Sequence, residues 1–571
     1  MELNQKTKVM CFGDEHVTLD IVMNGRILEQ VSCYKFVGIM VDEKLSFEQH
    51  VEFACGKTKA ALNKISILLN GRRGLPVGNA IELYKGMSRP HLEYASAVWM
   101  YKNQKFMKEI QSVQQTCLKK LCGVFKNSSG AALEVITGVH PIDLRLKKLC
   151  RREWARIRAL DDNHPLQKML KDAKHTKGNM TPLSFLKHTC RKIEQNLASN
   201  SASIRKHQPL IPELIVKSCS FEPIRIFEGK IGNSKSRSQT QIQSALSEME
   251  VFLEDKLGVN LLIFTDGSAM EKSIGKGGCG AVVVPPEGEV QACSKFVSNF
   301  TENVECEVEG LVLALAEAVK YYNEKGKQND CCYIFTDCES AIDILVYQND
   351  AVRWSAALRR AWSLKKQLDE LDILVKIGWV PGHCGIKFNE LADAAAKKGC
   401  SMIDELEKRD ELSYSSISKW IDSLVMCEWQ DQWSRNETGL FTKEILPSVQ
   451  NNVKIPLRRD VGVAFVRCLL NNASVADNMF RMKLSDDPNC SCGKSRETVE
   501  HVLLYCEKNG SQRLLLKTKI YAIWQESKKF GNLPFDLRLL LNPSSIKLNL
   551  VEAGEVSKAF EDFLNKIEIT L

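Results

Sequence analysis

The sequence predicts an α/β domain, a mixed five-strand sheet with flanking helices, set between a mostly helical N-terminal region and a small helical C-terminal domain. Three observations lead to that class. Two apolar runs, Leu262-Ile263-Phe264 and Tyr333-Ile334-Phe335, each end in Thr-Asp, at Thr265-Asp266 and Thr336-Asp337. A helix-patterned stretch between them carries Glu305, Glu307 and Glu309. Downstream, Trp379-Val380-Pro381-Gly382-His383-Cys384-Gly385 is followed by Asn389-Glu390-Leu391-Ala392-Asp393.

Apolar periodicity places strands over 259–265, 280–284 and 290–297, a helix over 304–322, a strand over 331–336, helices between 340 and 370, a strand over 373–379 and a helix over 387–399. Short Gly/Pro turns make the first three strands antiparallel, and strands that alternate with helices add in parallel. In such a sheet the ends of the first strand and of the strand after the first helix are neighbours, which brings Asp266 to Asp337. Glu307 falls in the first turn of its helix and Asp393 in the middle of another. Clustered acids cannot all ionise unless a hard cation compensates their repulsion, and magnesium or manganese suits oxygen ligands. A strand-terminal aspartate is more often a cap or turn residue, and a lone histidine is rarely catalytic. Two strand-terminal acids, two helix-borne acids and His383 together point instead to a metal-dependent phosphodiesterase site.

The remaining sequence bounds the setting. A chain of 571 residues holds several domains. Its 44% hydrophobic and 26% charged residues are ordinary for a globular protein, with no apolar run long enough for a membrane span. Met1 to Lys8 has no apolar core of the kind a secretory signal needs, so an intracellular location, nuclear or cytoplasmic, is expected. The 21 cysteines then read as thiols or metal ligands. A net charge of +8 alone is a weak pointer to nucleic acid.

Residues 1–55 have strand character, with an Asn24-Gly25 hairpin signal between Val17–Met23 and Ile27-Leu28, and a further short strand from Tyr34 to Asp42. Residues 56–190 are helical. Their basic residues, Arg72-Arg73, Lys119-Lys120 and Arg145, Lys147, Lys148, Arg151, Arg152, Arg156 and Arg158, form either a phosphate-tracking face or a solvated one. Residues 191–257 lose apolar patterning, most clearly from Gly232 to Thr240, and read as a linker. A helical connector with Trp420, Trp429 and Trp433 spans 401–455. In 456–571, Cys490, Cys492, His501 and Cys506 follow a C-x-C-x8-H-x4-C spacing that suits a tetrahedral structural zinc, or else are buried unliganded cysteines.

On its motifs, the segment 258–400 resembles a type 1 ribonuclease H. The resemblance is carried by Thr265-Asp266-Gly267-Ser268, Glu305-Cys306-Glu307-Val308 leading into Ala314-Leu315, Thr336-Asp337-Cys338-Glu339-Ser340, Val380 to Gly385, and Asn389 to Asp393. It implies an endonuclease that cuts the RNA strand of RNA–DNA hybrids, with two Mg²⁺ (or Mn²⁺) held by Asp266, Glu307, Asp337 and Asp393, and with His383 assisting proton transfer or product release. The distance to Ala314-Leu315 fits Glu307 as the family's glutamate, with Glu305 and Glu309 as alternatives. Substrate contacts are implied at Gly267, Ser268, Gly278, Asn303 and Asn389. One departure is Cys338-Glu339, where the family often has Ser-Gln; an extra acid there could perturb the metals.

The N-terminal part resembles the end of a non-LTR retrotransposon reverse transcriptase, where palm passes into thumb, through Leu3 to Lys8, Tyr34 to Phe47, and Leu83 to Tyr94 with Trp99. In that family the palm carboxylates lie upstream of the Lys-Thr-Lys segment, and the adjacent pairs Asp161-Asp162 and Asp486-Asp487 stand in other contexts, so no polymerase activity is expected. Glu497-x-x-x-His501-x-x-x-x-Cys506 resembles the zinc module that follows in these elements. The implied partners are an RNA–DNA hybrid or other nucleic acid and a complete reverse transcriptase. The alternative is a catalytically inactive nucleic-acid-binding remnant.

Overall fold

The computed structural model describes all residues except 1–6, 14–17, 24, 71–73, 103–105, 175–179, 200–201, 207–220, 228–237, 271–274, 327–330, 348–354, 403–410, 452, 527–533, 547 and 568–571. Asn24, Arg72-Arg73 and most of the Gly232–Thr240 stretch therefore lie outside the described residues. The chain divides into two compact units: Met1–Cys150 with His175–Phe185 and Leu424–Leu571, and Arg151–Lys174 with Leu186–Ser423.

The second unit contains the expected α/β sheet. Its elements are β1 (Leu261–Ala269), β2 (Gly275–Val284), β3 (Gln291–Thr301), α1 (Asn303–Lys325), β4 (Cys331–Thr336), α2 (Glu339–Val346), α3 (Ser355–Glu370), β5 (Leu374–Trp379) and α4 (Lys387–Ser401). β2 pairs antiparallel with both β1 and β3, while β4 pairs parallel with β1 and with β5. All five expected strands are present in the expected directions. A sixth, Glu222–Ile224, adds in parallel beside β5, giving the spatial order β3-β2-β1-β4-β5 and then this edge strand.

Alternation along the strands loads both faces. Leu261 and Ile263 join Ile334, Val375 and Ile377 under Leu311, Leu315, Leu358 and Trp362 of α1 and α3. Leu262 and Phe264 join Phe335, Val282 and Val284 on the other face, with Phe388 and Ala392 of α4. Burial on both faces explains why the two Thr-Asp runs read as continuously apolar.

The linker expected over 191–257 is corrected in its described parts. It supplies a helix Arg191–Ser199, the edge strand, and a helix Gln239–Lys256 that opens with a Ser238/Gln241 capping box. The last helix is polar overall yet sets Met249 into the second core cluster and Phe252 edge-on to Tyr333 and Phe335 at 5.4 and 5.5 Å. Its apolar residues Ile242, Ala245, Leu246, Met249, Phe252 and Leu253 do recur at helical spacing, a signal passed over beside the polar Gly232–Thr240 stretch.

The first unit draws on both ends of the chain, where separate N- and C-terminal domains were expected. Arg467 Nε donates to the Gly123 carbonyl (2.9 Å), Arg459 Nη1 to that of Leu75 (3.1 Å) and Asn451 Nδ2 to that of Val135 (3.1 Å). Val22–Met23 and Arg26–Ile27 form the expected hairpin. The single strand expected over Tyr34–Asp42 is itself a hairpin, Cys33–Phe36 against Ile39–Asp42, because Val37 and Gly38 both take the left-handed conformation that turns the chain (φ 45° and 84°). Trp429 and Trp433 of the connector helix Tyr414–Arg435 are buried, and Trp433 Nε1 donates to the Leu446 carbonyl.

The basic helix Ile142–Arg158 is no open phosphate face along its described length. Arg145 forks onto Glu93 (2.8 and 3.0 Å), Arg152 onto Asp422, Arg156 onto Glu153, and Lys148 and Arg151 are buried. Charges satisfied within the fold are poor candidates for releasing counterions from a duplex.

If the helix Gln239–Lys256 is integral to the sheet, Met249→Ala leaves a cavity beneath Phe264 and Phe335. A loss of about 2–5 kcal/mol in urea denaturation is expected, against near-neutrality for a true linker.

Candidate active site

Parallel pairing of β1 with β4 aligns Thr265 with Thr336, so the next residues, Asp266 and Asp337, stand side by side where β4 ends while β1 runs on against β2. Glu307 reaches them from α1 through a close approach of backbones. A Cβ on Gly267 would lie 2.2 Å from the Glu307 backbone nitrogen, so only glycine lets the start of α1 sit on β1. Asp266, Glu307 and Asp337 then bring carboxylate oxygens within 4.8 Å of one another. Gly382, in the loop after β5, has the same purpose from another side, since a Cβ there would meet Asp337 Oδ2 at 2.0 Å.

Asp393 of α4 borders Asp266 and carries Lys397 on its Oδ2 (2.6 Å). It groups with His383 and Glu390, again within 4.8 Å. His383 is exposed at φ 56°, in a loop pinned by buried Val380, Cys384 and Ile386. Glu390 was missed in the sequence. Its signal was available, because an i, i+3 spacing from Asp393 puts both carboxylates on one helix face.

Burial pushes the Asp266 carboxyl up to about 8, and the charges of Asp337 and Asp393 push in the same direction. Burial, then Asp266 and Asp337, hold Glu307 well above the usual range. Neither Asp266 nor Glu307 has a Lys or Arg partner among the described residues; Glu307 is met by Asn303 Nδ2 (3.3 Å) and Thr336 Oγ1 (3.5 Å). Glu305 and Glu309 differ. Glu305 accepts from Arg205 Nη1 (2.9 Å) and from Thr301 and Ser416 hydroxyls (both 3.1 Å). Although burial opposes it, Arg360, with Lys295, holds Glu309 below the usual carboxylate range. Of the three glutamates, Glu307 alone stands with the two aspartates.

The family model for RNase H matches residues 259–401. These residues form an RNase H domain. The chain is 24% identical over 145 residues to an RNA-directed DNA polymerase from the mobile element jockey of Drosophila funebris, a match covering 25% of this chain and 15% of that protein. It is 30% identical over 118 residues to a Pol polyprotein of the type-1 retrotransposable element R1 of Bradysia coprophila, covering 19% and 11%. Among solved structures, an RNase H1 from the archaeon Halobacterium salinarum is 20% identical over 25% of this chain and 98% of that one, with a TM-score of 0.19. The chain is thus related to retrotransposon polyproteins and spans a small part of the length of those it matches.

Within the RNase H domain the implied substrate residues separate. Gly267 and Ser268 lie at the end of β1, and Asn303 opens α1 and turns its amide to Glu307. Buried Asn389, one turn before Asp393, has a side-chain oxygen without a hydrogen-bond partner among the described residues. Gly278 pairs through its backbone with both neighbouring strands, and a Cβ there would meet the Cys400 nitrogen at 2.3 Å, so close packing under α4 by itself requires glycine. Glu339 is exposed on the first turn of α2 and joins neither acidic group.

In the other unit, Cys490, Cys492, His501 and Cys506 converge within 4.8 Å. Cys492 Sγ is 3.3 Å from His501 Nε2, Cys490 and Cys506 sulfurs are 3.7 Å apart, and Ser495 Oγ engages His501 Nδ1 (2.8 Å). Fixing Nδ1 leaves Nε2 turned to the thiols, as a ligating imidazole requires.

In the unfolded chain an aspartate of this kind titrates near 3.8, whereas folded Asp266 keeps its proton to about 8. Between these values the folded state binds more protons, so metal-free stability falls as pH rises. Asp266→Asn is therefore expected to be the more stable protein near pH 8 without divalent metal, by on the order of 2 kcal/mol, with the advantage vanishing toward about pH 4. Thermal unfolding in a chelator checks this, and excess Mg²⁺ should stabilise the wild type and not the variant.

Proposed function

We propose that the RNase H domain cleaves the RNA strand of RNA–DNA hybrids in a reaction that depends on Mg²⁺ or Mn²⁺. The observation that carries this reading is the buried trio Asp266, Glu307 and Asp337, whose oxygens converge with no protein cation on Asp266 or Glu307 among the described residues. All the donors are hard oxygens, which fits those ions and disfavours softer ones. Two bound ions would supply an activated water and stabilisation of the leaving 3′ oxygen. Asp266, Glu307, Asp337 and Asp393 would hold them, and the raised carboxyls would shed their protons as the ions enter.

The chain's own residues do the rest. Asn303 and Thr336 orient the Glu307 carboxylate, and Gly267 and Gly382 leave room for the acids to meet. Exposed His383, beside Asp393 and Glu390, is placed to move a proton between the site and water. Ser268, Asn303 and Asn389 are the polar groups offered to the hybrid, where an RNA 2′-hydroxyl gives the discrimination. The second reading, a binding protein without turnover, draws on the retroelement kinship alone.

We further propose that Cys490, Cys492, His501 and Cys506 hold a structural Zn²⁺. Three sulfurs and one imidazole supply the four donors that a closed structural zinc site takes. The Cys492 thiol is already drawn down to about 7, chiefly by the Lys494 backbone N–H.

A labelled RNA–DNA hybrid tests the first reading. Mg²⁺-dependent cleavage by the wild type and its loss, by at least about 10²-fold, in Asp266→Asn are expected, and cleavage that persists in the variant sinks the assignment. For the zinc, elemental analysis should find one equivalent per chain in the wild type and little in Cys506→Ser. Chelation should lower the melting temperature of the wild type toward that of the variant.

A further inference from the structure

Four acids crowd the start of α1: Glu302, Glu305, Glu307 and Glu309 are each no more than 6% exposed. Ionised carboxylates so buried need partners. Glu309 finds Arg360 and Lys295, both within residues 259–401. The cations paired with Glu302 and Glu305 come from outside that range. Glu302 pairs with Lys419, and Glu305 with Arg205 and the Ser416 hydroxyl.

These outside groups are held to each other. Ser203–Ile204 pairs in parallel with Glu411–Leu412, and the Arg205 backbone N–H donates to the Leu412 carbonyl (2.8 Å). Buried Ser413 then leads into the helix Tyr414–Arg435, which holds buried Ser415 and Ser416 in its first turn and carries Lys419. One segment from before the RNase H domain and one from after it thus form a two-strand clasp over the N-terminal turn of α1.

We propose that Arg205 and Lys419 are positioning residues for Glu307, an inference that rests on the metal-binding reading of the site. By neutralising Glu305 and Glu302 they allow both acids to stay buried, and so fix the first turn of α1 against β1 with Glu307 facing Asp266 and Asp337. Without Arg205, the Glu305 carboxylate gains by turning to water, and the turn that carries Glu307 moves with it. The segments flanking the RNase H domain are then part of its metal site's support.

The test uses the full chain, at a temperature where each variant is fully folded without Mg²⁺ by circular dichroism, and reads the Mg²⁺ concentration for half-maximal cleavage of an RNA–DNA hybrid. Arg205→Met should raise it by about 10–100-fold, the usual effect of removing a group that supports a metal ligand. Arg205→Lys should recover much of the loss. Adding Glu305→Gln to Arg205→Met should recover it as well, because a neutral amide needs no cation and can still bond Ser416 and Thr301. Wild-type Mg²⁺ dependence in Arg205→Met overturns the inference, as does an equal shift in the double variant, which marks a packing role without charge. A wild-type chain that cuts no hybrid in Mg²⁺ overturns the metal-binding reading itself, and this inference with it.

Discussion

Mutual repulsion among Asp266, Glu307 and Asp337 is the constraint on which the rest of the RNase H domain depends. Unit charges at the 4.8 Å limit of this group repel by about 3 kcal/mol at the effective dielectric of a protein interior. A sheet held only by local turns would relieve that by letting its ends splay. Here the acids sit on elements that cannot yield: Asp266 on a strand paired on both sides, Glu307 on a helix pressed to that strand at Gly267, and Asp337 at the end of a strand buried on both faces. Protonation answers both burial, the larger cause, and this repulsion, which is why Asp266 and Glu307 titrate so high.

Much of this arrangement was legible in the sequence, for physical reasons that can be named. β4 is found over Cys331–Thr336 as read, because a strand buried on both faces is a short continuous apolar run with sharp ends. The placement of Asp266 beside Asp337 followed from chain order alone, since a strand reached through a helical crossover adds in parallel. At Gly278 close packing and ligand approach place the same demand, a missing side chain, on the sequence, and the packing against α4 became visible only in the fold. Glu307 was read ahead of Glu305 and Glu309 from its distance to Ala314-Leu315 on the resemblance alone, and a physical ground for that choice came only with the fold. Helical phase does not say which acids meet a cation, and Arg205 and Arg360 lie far from them in sequence.

The elements that escaped sequence reading share one property: their partners are distant in the chain. The edge strand Glu222–Ile224 is three residues long and finds its hydrogen bonds on β5, more than 150 residues on. The helix Gln239–Lys256 repeats apolar residues from Ile242 to Leu253 at helical spacing, but what they meet, the aromatic cluster with Tyr333 and Phe335, lies far along the chain. The two ends of the chain likewise meet through side-chain bonds to backbone carbonyls, such as Arg467 to Gly123, which carry no pattern of type or spacing. Local periodicity reports burial; it does not report against what.

The distribution of cations among buried acids is itself a reading of function. Glu302, Glu305 and Glu309 are about as buried as Glu307 and stand within the same few residues of helix, yet each has a lysine or arginine. Desolvation therefore treats the four alike, and selection of partners does not. A fold able to supply countercharge at three positions, two of them from segments beyond the family domain, leaves the fourth with an amide and a hydroxyl. The economical account is that the charge at Glu307 is meant to be balanced by something that enters and leaves, and a hard divalent cation shared with Asp266 and Asp337 is the balance the geometry suits.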